Sequence, residues 1–537
     1  ASTGDLVRTL EHRNGWHRDT AARLLYERRS TDSVPDLERL ARSSTLPEGR
    51  MHALYALAAL DRLTSATVLE ALGDAHPRVR EHAVRLAERH TQEASVLDAL
   101  AALTTDADGR VRYQLAFTLG EFPSSPVRDL ALAELARRDG GEAYPRAAIL
   151  SSLAHGAGRV LAALVEPRDR DPADPQMIES LGFHLGRLSN AADVSAVEQA
   201  IVRLGGPGSG SAQRLLAGYF AGRAKGSRVA AESLPPALAA ARGALLEAAR
   251  VTALDDGAAD GQRVAAIRRL SLGAFADSRS AFETLLESRQ PQPVQNAAVD
   301  AVVATGAPEV GDWLLDHWAA MSPKVRAAAA GALFTREPWV VALLDAVEAG
   351  RVPLADFDPA QVRQLAARPE PAIRERYERL SARVATSPRQ EVLAAYQPAL
   401  ALSGDAEKGQ TVFAKNCSQC HRVDGVGHEI GPSLAAFKTR GPEAILLNML
   451  DPNREVNPLY VNYVAVLNDG RTLTGMIADE TATSITLKRA ENASDTITRS
   501  EIESLTSTGR SIMPEGMEQQ IDRQGVADLL AYLMATP

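Results

Sequence analysis

Cys417, Cys420 and His421, in the run Cys-Ser-Gln-Cys-His, are the residues of this 537-residue chain whose types and spacing together could do chemistry. Two thiols three positions apart can each add across a vinyl group of haem and leave two thioether bonds. The histidine that follows is then carried beneath the iron as its proximal ligand. Two other chemistries compete for the motif. A structural zinc site needs further cysteine or histidine ligands at paired spacing, yet the chain has no other cysteine and only His428 lies near in sequence. A thioredoxin-like dithiol belongs in a βαβ pattern that the flanks lack, and it leaves the histidine without a role. The motif therefore reads as the attachment site of one covalent haem c.

Residues on both sides must position that group, and they resemble the class I cytochrome c fold. Gly409 and Phe413 lie four apart on an expected first helix, Asp405 to Asn416, and so share one face. The segment Gln519 to Met534 is helical by period and ends in Leu529-Leu530-Ala531-Tyr532-Leu533. It is similar to the last helix of that family, which crosses the first, and Gly409 would permit the close approach. After the motif comes Gly431-Pro432-Ser433-Leu434. The resemblance implies that the Pro432 carbonyl accepts the proton on the far nitrogen of His421, which fixes the tautomer and raises the basicity of the ring. It also implies a sixth ligand from a methionine on a loop before the last helix. Met513, in Ser511-Ile512-Met513-Pro514-Glu515-Gly516, fits that place; Met517 is its rival, and Met476 and His428 are weaker choices. The plain alternative is that Met513 is an apolar residue closing the pocket. A thioether ligand pushes the potential up and suits a carrier of single electrons.

From His421 to Met513 is 92 residues, more than a haem loop needs. The excess reads as strand. Tyr460 to Leu467 alternates apolar and polar, Asn468-Asp469-Gly470 supplies a hairpin turn, and Arg471 to Ile477, Ser484 to Lys488 and Asp495 to Arg499 read as further short strands. A small β insertion at about 460–505 is expected inside the haem domain.

The elements before residue 400 follow a different pattern. Asp74-Ala75-His76-Pro77-Arg78-Val79-Arg80 opens one apolar-periodic helix, and Asp106-Ala107-Asp108-Gly109-Arg110-Val111-Arg112 opens another 32 residues later. Copies recur at Ser322-Pro323-Lys324-Val325-Arg326 and, degraded, at Pro291 to Gln295 and Glu370 to Arg374. Aspartate or serine is expected to cap each helix and proline to fill its first turn, with the repeated arginines making contacts between turns. This is similar to HEAT repeats, helix pairs stacked into a solenoid. The signal is good over 48–155 and 280–400 and vague over 165–280, where Gly205-Gly206-Pro207-Gly208-Ser209-Gly210 reads as a long inter-helix loop rather than a domain linker. His12, His17, His76, His82 and His90 tempt a metal reading, but exposed or hydrogen-bonded histidines account for them.

Length requires at least two domains, expected as a solenoid over 1–400 and a haem domain over 401–537. The fold class is mainly α. A net charge of -9 and pI near 5.8, with no concentrated Lys/Arg footprint, exclude nucleic acid as the expected partner. No run of eighteen apolar residues is present; even Leu234 to Val251 is broken by Arg242, Glu247 and Arg250. The chain starts at Ala1 without a signal peptide, and since this kind of haem attachment is by family an extracytoplasmic, in bacteria periplasmic, event, a removed leader or a longer precursor is expected.

Together the parts resemble the haem-binding domain of Planctomycetes and Verrucomicrobia, in which a Cys-x-x-Cys-His cytochrome with a β insert follows HEAT-like repeats. The matching segments are Leu450-Asp451-Pro452-Asn453-Arg454, Tyr460, Asp469-Gly470-Arg471, Gly475, Ser511 to Gly516 and, at the other end, Asn14-Gly15-Trp16-His17-Arg18-Asp19. Larger members carry a β-propeller resembling quinoprotein sugar dehydrogenases ahead of that segment, so the resemblance implies an electron-transfer module served by a partner or fused dehydrogenase donor and a downstream acceptor. A peroxidase-like haem enzyme and a solenoid scaffold for protein or glycan are the alternatives.

Overall fold

Capping residues and first-turn prolines set the start of most helices in the repeat region. The computed structural model describes residues 1–166, 173–188, 190–225, 234–357, 359–384, 389–434, 440–454 and 456–535. It divides into two compact units, Ala1–Ala248 and Ala249–Pro537, so residues 249–400 fall in the same unit as the haem-domain residues.

In the first unit alternate helices pack on one another in two layers. The recurrent motifs open helices as the sequence requires: Pro77–Leu86 and Gly109–Glu121 here, and Gln292–Thr305, Pro323–Leu333 and Pro371–Val384 in the second unit. Asp108 caps its helix through the Arg110 amide at 2.8 Å. Asp74 does not: His76 is the cap, accepting from the Arg78 amide. Asp74 and Asp106 are instead taken by arginines of the preceding repeat. Arg50 grips Asp74 through two bonds of 2.7 Å, Arg80 grips Asp106 at 2.7 and 2.8 Å, and Arg112 grips Asp139 at 2.8 Å twice. Each arginine also donates to the carbonyl six residues before it, Ser44, Asp74 and Asp106. The planar guanidinium thus satisfies a turn and bridges two repeats at once, which a lysine could not do. Arg78 reaches Asp108 at 3.0 Å, whereas Arg110 is exposed.

The described residues of the vague stretch are mostly helical too. Pro175–Leu188 and Gly210–Lys225 interlock through glycines: a Cβ on Gly186 would lie 2.0 Å from the Tyr219 carbonyl oxygen, and one on Gly222 2.0 Å from that of Phe183. Contact is made by backbone, so the leucine periodicity that marks other repeats is thin here. The glycine-rich run turns between Ala191–Arg203 and Gly210–Lys225 inside the first unit, with Gly205 and Gly206 at positive φ. Among the described residues no group of three or more His, Cys, Asp and Glu could hold a metal; His82 bonds Tyr55 and His90 bonds Glu93.

In the second unit the haem-domain helices are Ala406–Asn416, Pro442–Leu450 and Arg523–Ala535. A two-stranded ribbon, β1 (Arg422–Val423) and β2 (Val426–Gly427), follows the motif. The insertion forms five antiparallel strands: β3 (Val461–Leu467), β4 (Thr472–Glu480), β5 (Ser484–Lys488), β6 (Ser494–Thr498) and β7 (Ile502–Ser511), in the order β6-β5-β4-β3-β7. Val461, Tyr463, Ala465 and Leu467 face one core with Ile485, Leu487, Ile497, Ile502 and Leu505, as the alternation requires. β7 exceeds the expected insertion and had no clear strand signal. Its Thr506-Ser507-Thr508-Gly509-Arg510-Ser511 half is polar, as suits the last strand at a sheet edge.

Candidate haem site

Helix Ala406–Asn416 ends at the motif because the chain turns there: the Cys417 and Ser418 amides both donate to the Phe413 carbonyl, at 2.8 and 3.0 Å. The helix is held by Asp405, which accepts from the Glu407 amide, and by its crossing with Arg523–Ala535. At the crossing a Cβ on Gly409 would stand 2.0 Å from the Asp528 carbonyl oxygen, and Phe413 lies 5.7 Å, centroid to centroid, from Tyr532. The family-like pair Gly409 and Phe413 therefore does what the sequence reading assigned to it.

Past the helix, Cys420 and His421 donate their amides back to the Cys417 carbonyl, and Ile430 and Gly431 donate to that of Cys420. This folds the motif and the Gly431-Pro432 turn onto each other. His421 Nδ1 lies 2.9 Å from the Pro432 carbonyl oxygen. A carbonyl only accepts, so the proton sits on Nδ1 and Nε2 keeps its lone pair. Gly431 is required beneath the ring: a Cβ there would be 2.3 Å from His421 Cε1. Gly427, at φ 97°, lets the β1–β2 ribbon pass the His421 carbonyl, which a Cβ would meet at 2.1 Å.

Cys417, Cys420, His421, Pro432, Met513 and Met517 all line one cavity of about 350 Å³, within the range of small-molecule and cofactor sites. Its walls are Leu434, Ile445, Met449, Leu529 and Leu533, with Asn416, Arg440, Asn448, Asn457 and Tyr460 as polar groups. Met517 is buried in the core, whereas Met513 is half-buried in the loop after β7, its amide held by Ser511 Oγ at 3.1 Å. Met476, in β4, and His428, exposed beside β2, do not line the cavity. Sequence reasoning missed Asn416, Arg440, Ile445, Asn448 and Met449. Ile445 and Met449 differ from other helix residues only in being buried, Arg440 lies outside the α-helices, and no spacing signal marks any of the five.

Burial lowers the His421 pKa against an opposing rise from the Pro432 bond, so the ring stays neutral, the state a metal ligand needs. Burial pushes the Cys417 thiol up to about 12, with Cys420 adding to it, and raises Cys420 as well. Both thiols face the same cavity as His421, an arrangement that fits a site in which sulfur is bound to carbon. A buried neutral imidazole with one free nitrogen, two thiols and a thioether, all on an otherwise largely apolar cavity, fit haem c.

Comparison with known proteins bears on this geometry. The cytochrome c family model matches residues 406–537, and a cytochrome c-553-like protein of Synechocystis sp. is 30% identical over 79 residues, 13% of this chain and 74% of that relative. The chain belongs to the cytochrome c family. Its cytochrome c domain follows a segment, residues 65–154, that matches the HEAT repeat model. Solved structures similar to the chain include Kap121p, at 14% identity and TM-score 0.42 over 74% of this chain and 47% of that one, and Kap121p bound to Pho4p, at 14% identity and TM-score 0.43 over 82% and 52%. The chain thus spans about half the length of those two. No helix among the described residues is long and apolar enough to cross a membrane.

Proposed function

We propose that the chain is an extracytoplasmic c-type cytochrome that moves single electrons through one covalently held haem, receiving them from a partner or fused dehydrogenase and passing them to a downstream redox protein. The observation that carries this reading is the single cavity on which Cys417, Cys420, His421 and Met513 meet, with His421 Nδ1 committed to the Pro432 carbonyl. In this reading Cys417 and Cys420 would hold haem c through thioether bonds, and His421, through Nε2, and Met513 would be its iron ligands. Haem c in that cavity supplies a one-electron couple, and thioether ligation favours its reduced state. The chain's own residues do the rest. Pro432 orients the imidazole, Leu529, Leu533 and Met449 exclude water, and the Ser511 hydroxyl holds the Met513 amide. Met513 is preferred to Met517 because Met517 is packed into the core with Ile521 and Ile445, whereas Met513 is half-buried on a loop. The division into a repeat segment, 1–400, and a haem segment, 401–537, belongs to the same reading.

Denatured protein should keep one haem per chain on a gel, and release of haem into acid acetone would overturn the covalent assignment. Met513→Ala should abolish the near-infrared band of sulfur-ligated iron and lower the potential, and Met517→Ala should leave the band in place. The reverse result would move the ligand to Met517. No change in either variant would favour a haem enzyme with an exchangeable distal site.

A further inference from the structure

The β insertion touches two distant parts of the second unit through the two ends of one strand. At the β4–β5 turn, Gln292 donates its amide to the Ala482 carbonyl at 2.9 Å. Arg499 donates to the Ser288 carbonyl at 3.2 Å and to Glu480 at 2.5 Å, and it is 2% exposed. The Ser322 hydroxyl donates to Glu480, and Lys324 Nζ donates to the Glu480 carbonyl. Ser322 occupies the N-cap position of helix Pro323–Leu333 but makes no capping bond; its hydroxyl is diverted to the sheet. At the other end the β5–β6 turn rests on the haem-attachment loop. Glu491 donates its amide to the Gln419 carbonyl at 3.1 Å, and Lys488 Nζ donates to the Glu429 carbonyl at 3.1 Å. Glu491 and Asn492 hold this turn at φ 59° and 63°, a region that non-glycine residues enter only where their surroundings impose it.

Between the ends runs β5, five residues or about 16 Å of extended chain. It is paired on both sides, Ile485 with Glu480 and Ile497, Leu487 with Ile477 and Asp495, and both apolar side chains are fully buried. A strand so paired cannot lengthen or slip register without moving its apolar residues to the other face.

We propose that β4–β6 form a strut that ties the loop Cys417–His421 to helices Gln292–Thr305 and Pro323–Leu333, so that the solenoid anchor sets the order of the haem-attachment loop. The chemical role of that loop rests on the haem reading above; the strut itself does not. Hydrogen exchange on the full-length holoprotein tests it. Ser322→Ala should speed exchange of the Cys420, His421, Ile430 and Gly431 amides by about tenfold, and Ser322→Thr, which keeps the hydroxyl, should restore it. Coupling is reciprocal, so Lys488→Met should speed exchange at the Gln292 amide. The double variant should show less than the product of the two effects. Effects confined to each variant's own end, effects that multiply, or a Ser322→Thr that behaves as alanine would each overturn the strut. Haem staining of the same samples reports separately on the haem reading.

Discussion

Gly409→Ala separates two opposite expectations. From helix propensity alone it should stabilise the Ala406–Asn416 helix by about 1 kcal/mol, since glycine is that much worse than alanine in a helix interior. The crossing reverses the sign. The new Cβ would lie 2.0 Å from the Asp528 carbonyl oxygen, 2.6 Å from its carbon and 2.7 Å from Tyr532 Cβ, where ordinary contact begins near 3.4 Å. Relief needs roughly 1.4 Å of separation between two helices, because the nearest obstacle is backbone and has no rotamer to change. Overpacking of this kind costs about 1–3 kcal/mol and sometimes more, and moving the helix also loosens Phe413 against Tyr532. A net loss of about 1 kcal/mol is therefore expected. Gly331→Ala is the control: it is exposed on helix Pro323–Leu333 with nothing within 4 Å of the added Cβ, and should gain up to about 1 kcal/mol. Urea unfolding of the full chain, followed by haem absorbance for the first and far-ultraviolet dichroism for the second, gives both midpoints. A Gly409→Ala midpoint at or above wild type, with Gly331→Ala stabilised, would refute the close-crossing argument.

The repeat ladder makes stability depend on acid. Hydrogen bonding to Arg80 holds the Asp106 carboxyl below the usual carboxylate range. Its folded pKa is below the unfolded value of about 3.9, so the contribution is full above about pH 5 and is lost as pH falls through that value and then the folded one. Arg80→Met, which leaves the Asp106 carboxylate its bond from the Asp108 amide, should cost about 2 kcal/mol at neutral pH and flatten the acid-unfolding curve relative to wild type; equal slopes would count against the pair. Gly186→Ala should lower the thermal midpoint of the first unit, since its Cβ meets the Tyr219 carbonyl oxygen at 2.0 Å. A midpoint unchanged within error in a calorimetric scan would show that the two helices part at little cost.

What the sequence made legible follows from how local each feature is. The haem motif, the Gly409–Phe413 pair and the Gly431-Pro432 turn are short-range patterns, and the close helix crossing and the bond from His421 to the Pro432 carbonyl are seen where the last two place them. Four of the five insert strands were visible because Val461 to Leu467, Ser484 to Lys488 and their partners alternate or end at turns. β7 was not, since only Ile502 and Leu505 of its ten residues face the sheet core. Asp74 looked like a cap because it precedes a first-turn proline, but its partner Arg50 lies 24 residues earlier, a distance no local pattern records. The cavity walls Ile445 and Met449 belong to the same class: their role depends on which helix crosses which.

The Met513 side of the cavity depends on the insertion in a way that loop length alone hides. Met513 follows β7 by two residues, and the end of β7 is fixed from two directions. Ser511 pairs with Val461 in the sheet and donates its amide to Asn453 Oδ1 at 2.8 Å, while the Ile512 amide donates to the Tyr460 carbonyl at 2.9 Å. Asn453 in turn bonds Glu515 on the far side of Met513. The methionine is thus delivered by the last ladder positions of a sheet whose other strands are anchored on the solenoid, instead of by a free loop. A flexible 92-residue interval between His421 and Met513 would let Met513 sample many positions. With Val461–Ser511 of that interval folded into the sheet, the Met513 backbone is held by ladder and side-chain bonds, while Met517 is buried in the helical core.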